Sequence, residues 1–412
     1  MTRRTQPSGL VLLLSAIVFL CARPALAQTL TVLHTFTGGA DGGNPYAGLT
    51  IDAAGHLYGT AENGGAGYGT VFEVKRAGSG WTFAPLYTFA GRDDGASPDG
   101  SVTIGPNGTL YGVTAYGGGT NCNGDGCGTV YNLRPPPRAC TNALCPWTET
   151  ILHAFGTQDP QDGIVPTGEV TFDAAGNLYG VTSNGGVLHL GTLYQLTPSN
   201  GAWTENVLHD FVGGSDGEYP WFKVLFDRSG NLYGTAGGGQ VSGGVVYEFT
   251  PTQSGWIESI VHAFVPFSEG SSPAGIIMDS AGNLYGGTAM GGQFGSGTLY
   301  QLSPSGGNWT FTVLEQVPGG IGCGVSGPLV MDSAGTLYGT TTCGVAGVIF
   351  ELSPSNGGWT YTELYHFTGG GDGLFPNGGV VLDAAGNLYG TTSNGGGGNC
   401  FRGCGVVWEF AP

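Results

Sequence analysis

The sequence predicts an all-β fold, a seven-bladed β-propeller of four-stranded blades, and three observations carry that prediction. A ten-residue segment, Asp383-Ala384-Ala385-Gly386-Asn387-Leu388-Tyr389-Gly390-Thr391-Thr392 in its last copy, has six near-copies upstream. Its Tyr falls at Tyr58, Tyr111, Tyr179, Tyr233, Tyr285, Tyr338 and Tyr389, at intervals of 53, 68, 54, 52, 53 and 51 residues. Second, each interval holds four strand-like runs, and four strands per period of roughly 50 residues mark a propeller. Third, Gln28 to Phe36 matches the end of a fourth strand, Leu33-His34-Thr35-Phe36 resembling Leu208-His209-Asp210-Phe211, while the last repeat stops at its third strand, Gly405 to Phe410. The N-terminal strand is therefore expected to complete the last blade and close the ring, removing the open edges that invite aggregation.

The chain begins with a leader, residues 1–27. Arg3 and Arg4 precede an apolar run from Leu10 to Cys21, and Ala25-Leu26-Ala27 precedes Gln28. This is the pattern of a cleavable secretory signal, so the mature protein is expected to be exported and to consist of one propeller domain, residues 28–412. No later apolar run approaches the roughly 18 residues that a membrane span needs. Removing Arg3, Arg4 and Arg23 takes the formal charge from -18 to -21, that is 8 basic against 29 acidic residues. So acidic a surface repels nucleic acid and anionic lipid, which leaves an extracellular glycan or protein as the expected partner of a monomer. Eight cysteines outside the leader, an even number in an exported chain, read as disulfides. Spacing pairs Cys122 with Cys127, Cys140 with Cys145 and Cys400 with Cys404. Cys323 and Cys343 lie ten residues either side of the sixth hairpin turn, at Ser333, and are expected to meet at one end of it. A zinc site would want Cys-x-x-Cys spacing or nearby His, and neither occurs around these cysteines.

In the first full repeat strand a runs from Gly48 to Asp52, b from Leu57 to Glu62, c from Gly69 to Val74 and d from Trp81 to Phe89. The a–b turn, such as Asp173-Ala174-Ala175-Gly176-Asn177, carries an Asp that can cap the turn and a Gly that accepts positive φ, so that Asp is read as structural. Strand c repeats as Gly128-Thr129-Val130-Tyr131 and Gly297-Thr298-Leu299-Tyr300, and its β-branched and aromatic content suits a sheet packed between neighbours. Strand d opens with Trp at 81, 147, 203, 256, 309 and 359. The long second interval comes from insertions around Cys122 to Cys127 and from Pro135 to Cys145, both in loops, where extra length costs little.

The recurring Asp-Gly-x-x-Pro, Gly-Asn-Leu-Tyr-Gly-Thr-Thr and Gly-Thr-Val-Tyr segments resemble the GloVer tandem repeat of bacterial secreted choice-of-anchor proteins, over nearly all of the mature chain. The resemblance implies an exported repeat protein and brings no catalytic residues with it. The sequence departs from the pattern in stopping at Pro412 with no C-terminal sorting segment.

Chemistry is expected on the face shared by the d–a connections and b–c loops. The connections read Asp-Gly-x-x-Pro at Asp41, Asp94, Asp162, Asp216 and Asp372, with Glu269 as a variant and Gly322-Cys323 in the sixth repeat. Two readings stand: six carboxylates ringing the channel mouth for a cation or ligand, or turns capped by Asp and stiffened by Pro. Each copy offers one carboxylate, whereas calcium takes about 6 to 8 oxygen ligands, so no cofactor is assigned and calcium is the one cation the ring admits. His34, His153, His209, His262 and His366 recur in strand d, the outermost of each blade, and are expected to lie too far apart to converge; no metal ligand set is assigned. Positions that differ between repeats can specialise. After the connection Pro stand Tyr46, Asp99, Thr167, Trp221, Ala274 and Asn377, and after strand b stand Asn63, Tyr116, Asn184, Met290, Cys343 and Asn394. Tyr46, Tyr116 and Trp221 with Asn63, Asn184 and Asn394 would give aromatic platforms and amides beside carboxylates, which suits a glycan or polar peptide. No Gly-x-Ser-x-Gly elbow, His-Glu-x-x-His helix or phosphate loop occurs in a fitting context. Two functions follow: a secreted binding or surface-interaction module, or an extracellular hydrolase or lyase acting on polysaccharide with two mouth carboxylates as acid and base.

Overall fold

A computed structural model describes residues 28–136, 147–156, 162–238, 243–320 and 323–412. The leader and the Cys140 to Cys145 pair lie outside these residues. The described chain forms seven four-stranded antiparallel blades in a ring, a seven-bladed β-propeller. In blade 1 the strands are Thr50–Ile51, Leu57–Ala61, Thr70–Ala77 and Gly80–Thr88, paired in that order. Blade 7 holds Val380–Leu382, Leu388–Thr392 and Val406–Ala411, and its outer strand is Thr29–Thr35, so the ring closes as expected. The register runs from Thr29 opposite Ala411 to Thr35 opposite Val406.

Strand a departs from the expected length. In blades 1, 2, 4 and 6 it shrinks to two paired residues, such as Thr103–Ile104 and Val330–Met331. In blade 3 it runs instead through the connection, Gly163–Phe172.

Each motif has a packing reason. Asp173 Oδ1 accepts the backbone N–H groups of Ala175 and Asn177 at 2.9 and 2.8 Å, and its Oδ2 accepts the Tyr179 hydroxyl at 3.1 Å. The same bonds recur at Asp279 and Asp383, so the a–b Asp is structural. The Gly of Leu-Tyr-Gly lies under an aromatic ring of strand c: a Cβ on Gly180 would stand 2.3 Å from the Tyr194 hydroxyl. The strand d Trp reaches the preceding blade, Trp256 meeting Tyr179 edge-on at 6.0 Å and Trp309 meeting Tyr233 at 5.9 Å. The apolar core is therefore seven clusters, each shared by two neighbouring blades; Tyr179, Leu193 and Phe211 of blade 3, for example, pack with Leu232, Tyr247 and Phe249 of blade 4. One repeat alone could not bury that surface.

Three disulfides occur among the described residues: Cys122–Cys127, Cys323–Cys343 and Cys400–Cys404, with Cα separations of 5.4, 4.7 and 4.9 Å. No helix among the described residues is long and apolar enough to cross a membrane.

Candidate functional site

The axis of the ring holds a cavity of ≈ 760 Å³ to which all seven blades contribute, among them Tyr46, Asp99, Glu169, Trp221, Ala274, Ser326 and Asn377. The connections build it. In five of the six connections the residue after the Pro lines the cavity; in blade 3 Thr167 is buried, its hydroxyl donating to the Pro220 carbonyl, and Gly168 and Glu169 line the cavity instead. Tyr46, Tyr219 and Trp221 line it while remaining 41%, 46% and 44% exposed, which makes them platforms open to a ligand. A second cavity of ≈ 560 Å³, lined by Thr103, Pro106 and Phe226 among others, shares Glu169 and Lys223 with the first. Those two are ion-paired, Lys223 Nζ to Glu169 Oε2 at 3.1 Å, and the Thr103 hydroxyl donates to Glu169 Oε1 at 3.2 Å. The pair thus lines both cavities.

Electrostatically the cavity is acidic. Burial, and secondarily Glu62, push the Asp99 carboxyl up to about 7. Burial raises Glu62 as well, and burial with Glu62 and Asp99 raises the Tyr46 phenol. One further polar group lies at the wall of this space. Thr60 and Thr391, at equivalent places in strand b, donate to the Gly100 and Ala47 carbonyls of the next blade at 3.0 and 2.8 Å. Thr235 holds the matching place in blade 4 and lines the cavity, and its hydroxyl is fully buried with no hydrogen-bond partner among the described residues.

The expected patch is divided by the structure. Tyr46 and Trp221 both line the cavity, as do Asp99 and Asn377. Tyr116, Asn63, Asn184 and Asn394 do not line it. The amide of Asn184 donates to the Ser183 hydroxyl at 3.1 Å, that of Asn394 to the Phe401 carbonyl at 3.1 Å, and that of Asn63 to the Asn44 side chain at 3.4 Å, so all three are engaged within their loops. Nor do the six connection carboxylates ring the channel mouth. Each turns back to cap the end of its own strand d: Asp41 accepts from Thr37 N at 3.0 Å, Asp94 from Ala90 N at 2.8 Å, Asp162 from Gly156 N at 2.6 Å, Asp216 from Val212 N at 2.6 Å, Glu269 from Val265 N at 2.9 Å and Asp372 from Thr368 N at 2.8 Å. These are the capped turns of the second reading. The histidines do not converge on one another, yet His34, His209 and His262 each meet the carboxylate of their own connection, at 3.1, 3.0 and 3.0 Å.

Sequence reasoning missed Tyr219, Lys223 and Thr235. Tyr219 shares a position with Asn44, Ser97, Val165, Ser272 and Phe375, the residue before the connection Pro, and all six have positive φ, between 50° and 58° in five and 60° in Phe375. That conformation sends each backbone N–H into the b–c loop of the preceding blade, as in Tyr219 N to Leu190 O at 2.7 Å and Val165 N to Cys127 O at 2.9 Å. The six-fold x-Pro was the available signal.

Fold and cavity together define a tandem-repeat propeller with an axial ligand-sized pocket. The chain belongs to the Gloeobacter/Verrucomicrobia repeat family, whose model matches residues 20–146, 123–316 and 225–412. No curated protein matches the chain. Among solved structures it is similar to the extracellular domain of a hybrid two-component system from B. thetaiotaomicron, at 12% identity and TM-score 0.56, over 92% of this chain and 39% of that one. The chain therefore spans well under half the length of that relative. It is also similar to an ulvan lyase, a polysaccharide lyase, at 11% identity and TM-score 0.56 over 92% and 95% of the two chains, and to the same type of enzyme bound to -[GlcA(1-4)Rha3S]- at 12% identity and TM-score 0.55. At these identities the likeness concerns the fold.

Proposed function

We propose that the protein is an exported glycan-binding module that takes its ligand in the axial cavity. The observation that carries this reading is the set of exposed rings, Tyr46, Tyr219 and Trp221, in one concave, largely apolar space with Asn377, Ser326 and Asp99 beside them. Sugar rings stack on such platforms through their C–H faces while amides and carboxylates take the hydroxyl groups. The disulfides fit an oxidising compartment, and the leader fits export. Lys223, the one cation lining the cavity among the described residues, is neutralised by Glu169, and Asp99 adds negative charge at high pH, so the ligand is a neutral or amino-bearing saccharide and not a uronate or sulfated one. The connection carboxylates belong to the turns, and calcium has no part in this reading.

A second reading, hydrolysis of polysaccharide, is favoured by one observation. Burial pushes the Asp99 carboxyl up to about 7, and Glu62, itself raised by burial, stands near it, so a carboxyl able to give a proton near neutral pH has a second carboxyl beside it. An array of neutral, amino and anionic glycans, run on the purified chain with and without calcium, tests the first reading. Binding confined to sulfated or uronate glycans, or lost on chelation, contradicts it. Release of reducing ends that stops in Asp99→Asn while binding persists moves the assignment to the hydrolase.

A further inference from the structure

Away from the axial cavity, the grooves between blades repeat one arrangement with different side chains. The residue two places before the Phe that closes strand d meets the carboxylate of the connection that follows it, and the residue two places after the strand d Trp of the next blade closes the groove. Between blades 7 and 1 Phe83 stacks on His34 at 3.7 Å, and between blades 4 and 5 Phe311 stacks on His262 at 4.0 Å. Between blades 1 and 2 the Tyr87 hydroxyl spans Asp94 and Glu149, at 3.1 and 3.3 Å.

Two grooves differ. Between blades 2 and 3 His153 Nε2 stands 3.8 Å from Asp162 Oδ1 and 3.4 Å from Glu205 Oε2; between blades 3 and 4 His209 Nε2 stands 3.0 Å from Asp216 Oδ1 and 3.7 Å from Glu258 Oε2. In each trio one atom per residue lies within 4.8 Å of the others. Three ligands at about 2.0–2.2 Å from one zinc-sized ion would be separated by about 3.5 Å, so little movement is needed to bring them onto it. In the first groove the Asp162 side chain is only 3% exposed, and its Oδ1 has no hydrogen-bond partner among the described residues, nor have His153 Nε2 and Glu205 Oε1; in the second, His209 Nε2 is bonded to Asp216 Oδ1 and Glu258 Oε1 is the unpartnered atom. Buried polar atoms aimed at one point and left unpaired are costly unless something occupies that point.

We propose that these two grooves each bind one divalent cation of the zinc class, through His153, Asp162 and Glu205 and through His209, Asp216 and Glu258. One imidazole nitrogen with two carboxylates suits zinc, with water in the fourth place; calcium takes an all-oxygen set of about 6 to 8 ligands. Each ion clamps strand d of one blade to strand d of the next, where the grooves closed by Phe83, Phe311 and Tyr87 use a stacked ring or a phenol. The inference is independent of the glycan reading, since it uses different residues on the outer part of the ring.

The test uses the full chain, purified without a polyhistidine tag, stripped with EDTA and titrated with zinc chloride or calcium chloride by calorimetry, with bound metal counted by mass spectrometry after gel filtration. Two zinc ions per chain are expected, with a rise in melting midpoint. Glu258→Phe, which copies the ring that Phe311 sets against His262, should leave one ion in a chain whose circular dichroism is unchanged. Adding His153→Ala should leave none. Absence of zinc binding, an unchanged stoichiometry in the double variant, or calcium bound in preference to zinc overturns the proposal.

Discussion

Cys323 and Cys343 stand 4.7 Å apart between Cα atoms, and their sulfurs flank Gly319, in the one blade whose connection lacks Asp-Gly-x-x-Pro. The other six connections tie the end of strand d with a carboxylate on a backbone N–H; here a covalent bond joins the connection to the end of strand b. Closing a loop 20 residues long stabilises by roughly 3 kcal/mol in the chain-entropy account. Cys323→Ala with Cys343→Ala should lose about that much in urea unfolding. Peptide mapping without reduction should recover the two residues in one linked peptide, and a free thiol at either would contradict the register of blade 6.

Ring closure makes a second expectation. Thr29–Thr35 covers the Val406–Ala411 strand, and Phe36 behind it is fully buried against Phe72 and Phe83 of blade 1. Deleting residues 28–36 should expose a strand edge and give aggregates by light scattering. Phe36→Ala keeps the edge covered and should cost about 3–5 kcal/mol without aggregation. A truncated chain that stays monomeric with the parent melting curve would rule out this role for the strand.

The repeated motifs made strands b, c and d and the closure of the ring legible, because each motif residue serves local turn chemistry or the contact with an adjacent blade. Two things were not legible. The direction of the connection carboxylates depends on whether Asp41 points along the axis or back to Thr37 N, and sequence spacing is the same in both cases. Meeting of His209 with Glu258 depends on the register between strands d of different blades, which no single repeat encodes. Trp221 and Tyr46 were found because they break the repeat; Thr235 was not, because it obeys it.

Val165 sits before the connection Pro of blade 3 with φ 58°, where blade 1 has Asn44 at φ 55°. A β-branched residue in that region is strained by about 1–2 kcal/mol, and Asn accepts it. Val165→Asn should therefore raise stability by about 1 kcal/mol, less what is lost from the half-buried side chain. Asn44→Val should lower it by a similar amount. Thermal melts of the two variants check this, and a loss in Val165→Asn would mean that the side chain's packing outweighs its backbone strain.

Asp99 gives a pH dependence whose sign is fixed. Its carboxyl holds a proton up to about 7 in the fold, through burial first and Glu62 second, whereas an unfolded Asp releases it near 4. Between these values the folded state binds more protons than the unfolded state, so this group's contribution makes stability fall as pH rises from about 4 to 7, by at most about 1.4 kcal/mol per pH unit. Asp99→Asn should flatten that part of the profile and leave the chain more stable at pH 8. A profile unchanged by the substitution would show that the carboxyl titrates as an exposed one.

Thr235 separates stability from binding inside the same cavity. Thr60 and Thr391 spend their hydroxyls on the next blade, and replacing either by Val removes a hydrogen bond and leaves the Gly100 or Ala47 carbonyl without it, at a cost of about 1 kcal/mol. The Thr235 hydroxyl is desolvated without that return. Thr235→Val keeps the shape and should stabilise the free protein by about 1 kcal/mol. If the hydroxyl is reserved for the ligand that stacks on Trp221, the same variant should bind it several-fold more weakly, and Trp221→Ala with Tyr46→Ala should raise Kd tenfold or more, about 1.4 kcal/mol, with the melting curve retained. Calorimetry with a glycan taken from the array reads both effects. Unchanged affinity in Trp221→Ala with Tyr46→Ala would remove the axial cavity from the binding function, and unchanged affinity in Thr235→Val alone would leave the ligand on the aromatic wall without reaching blade 4's strand b.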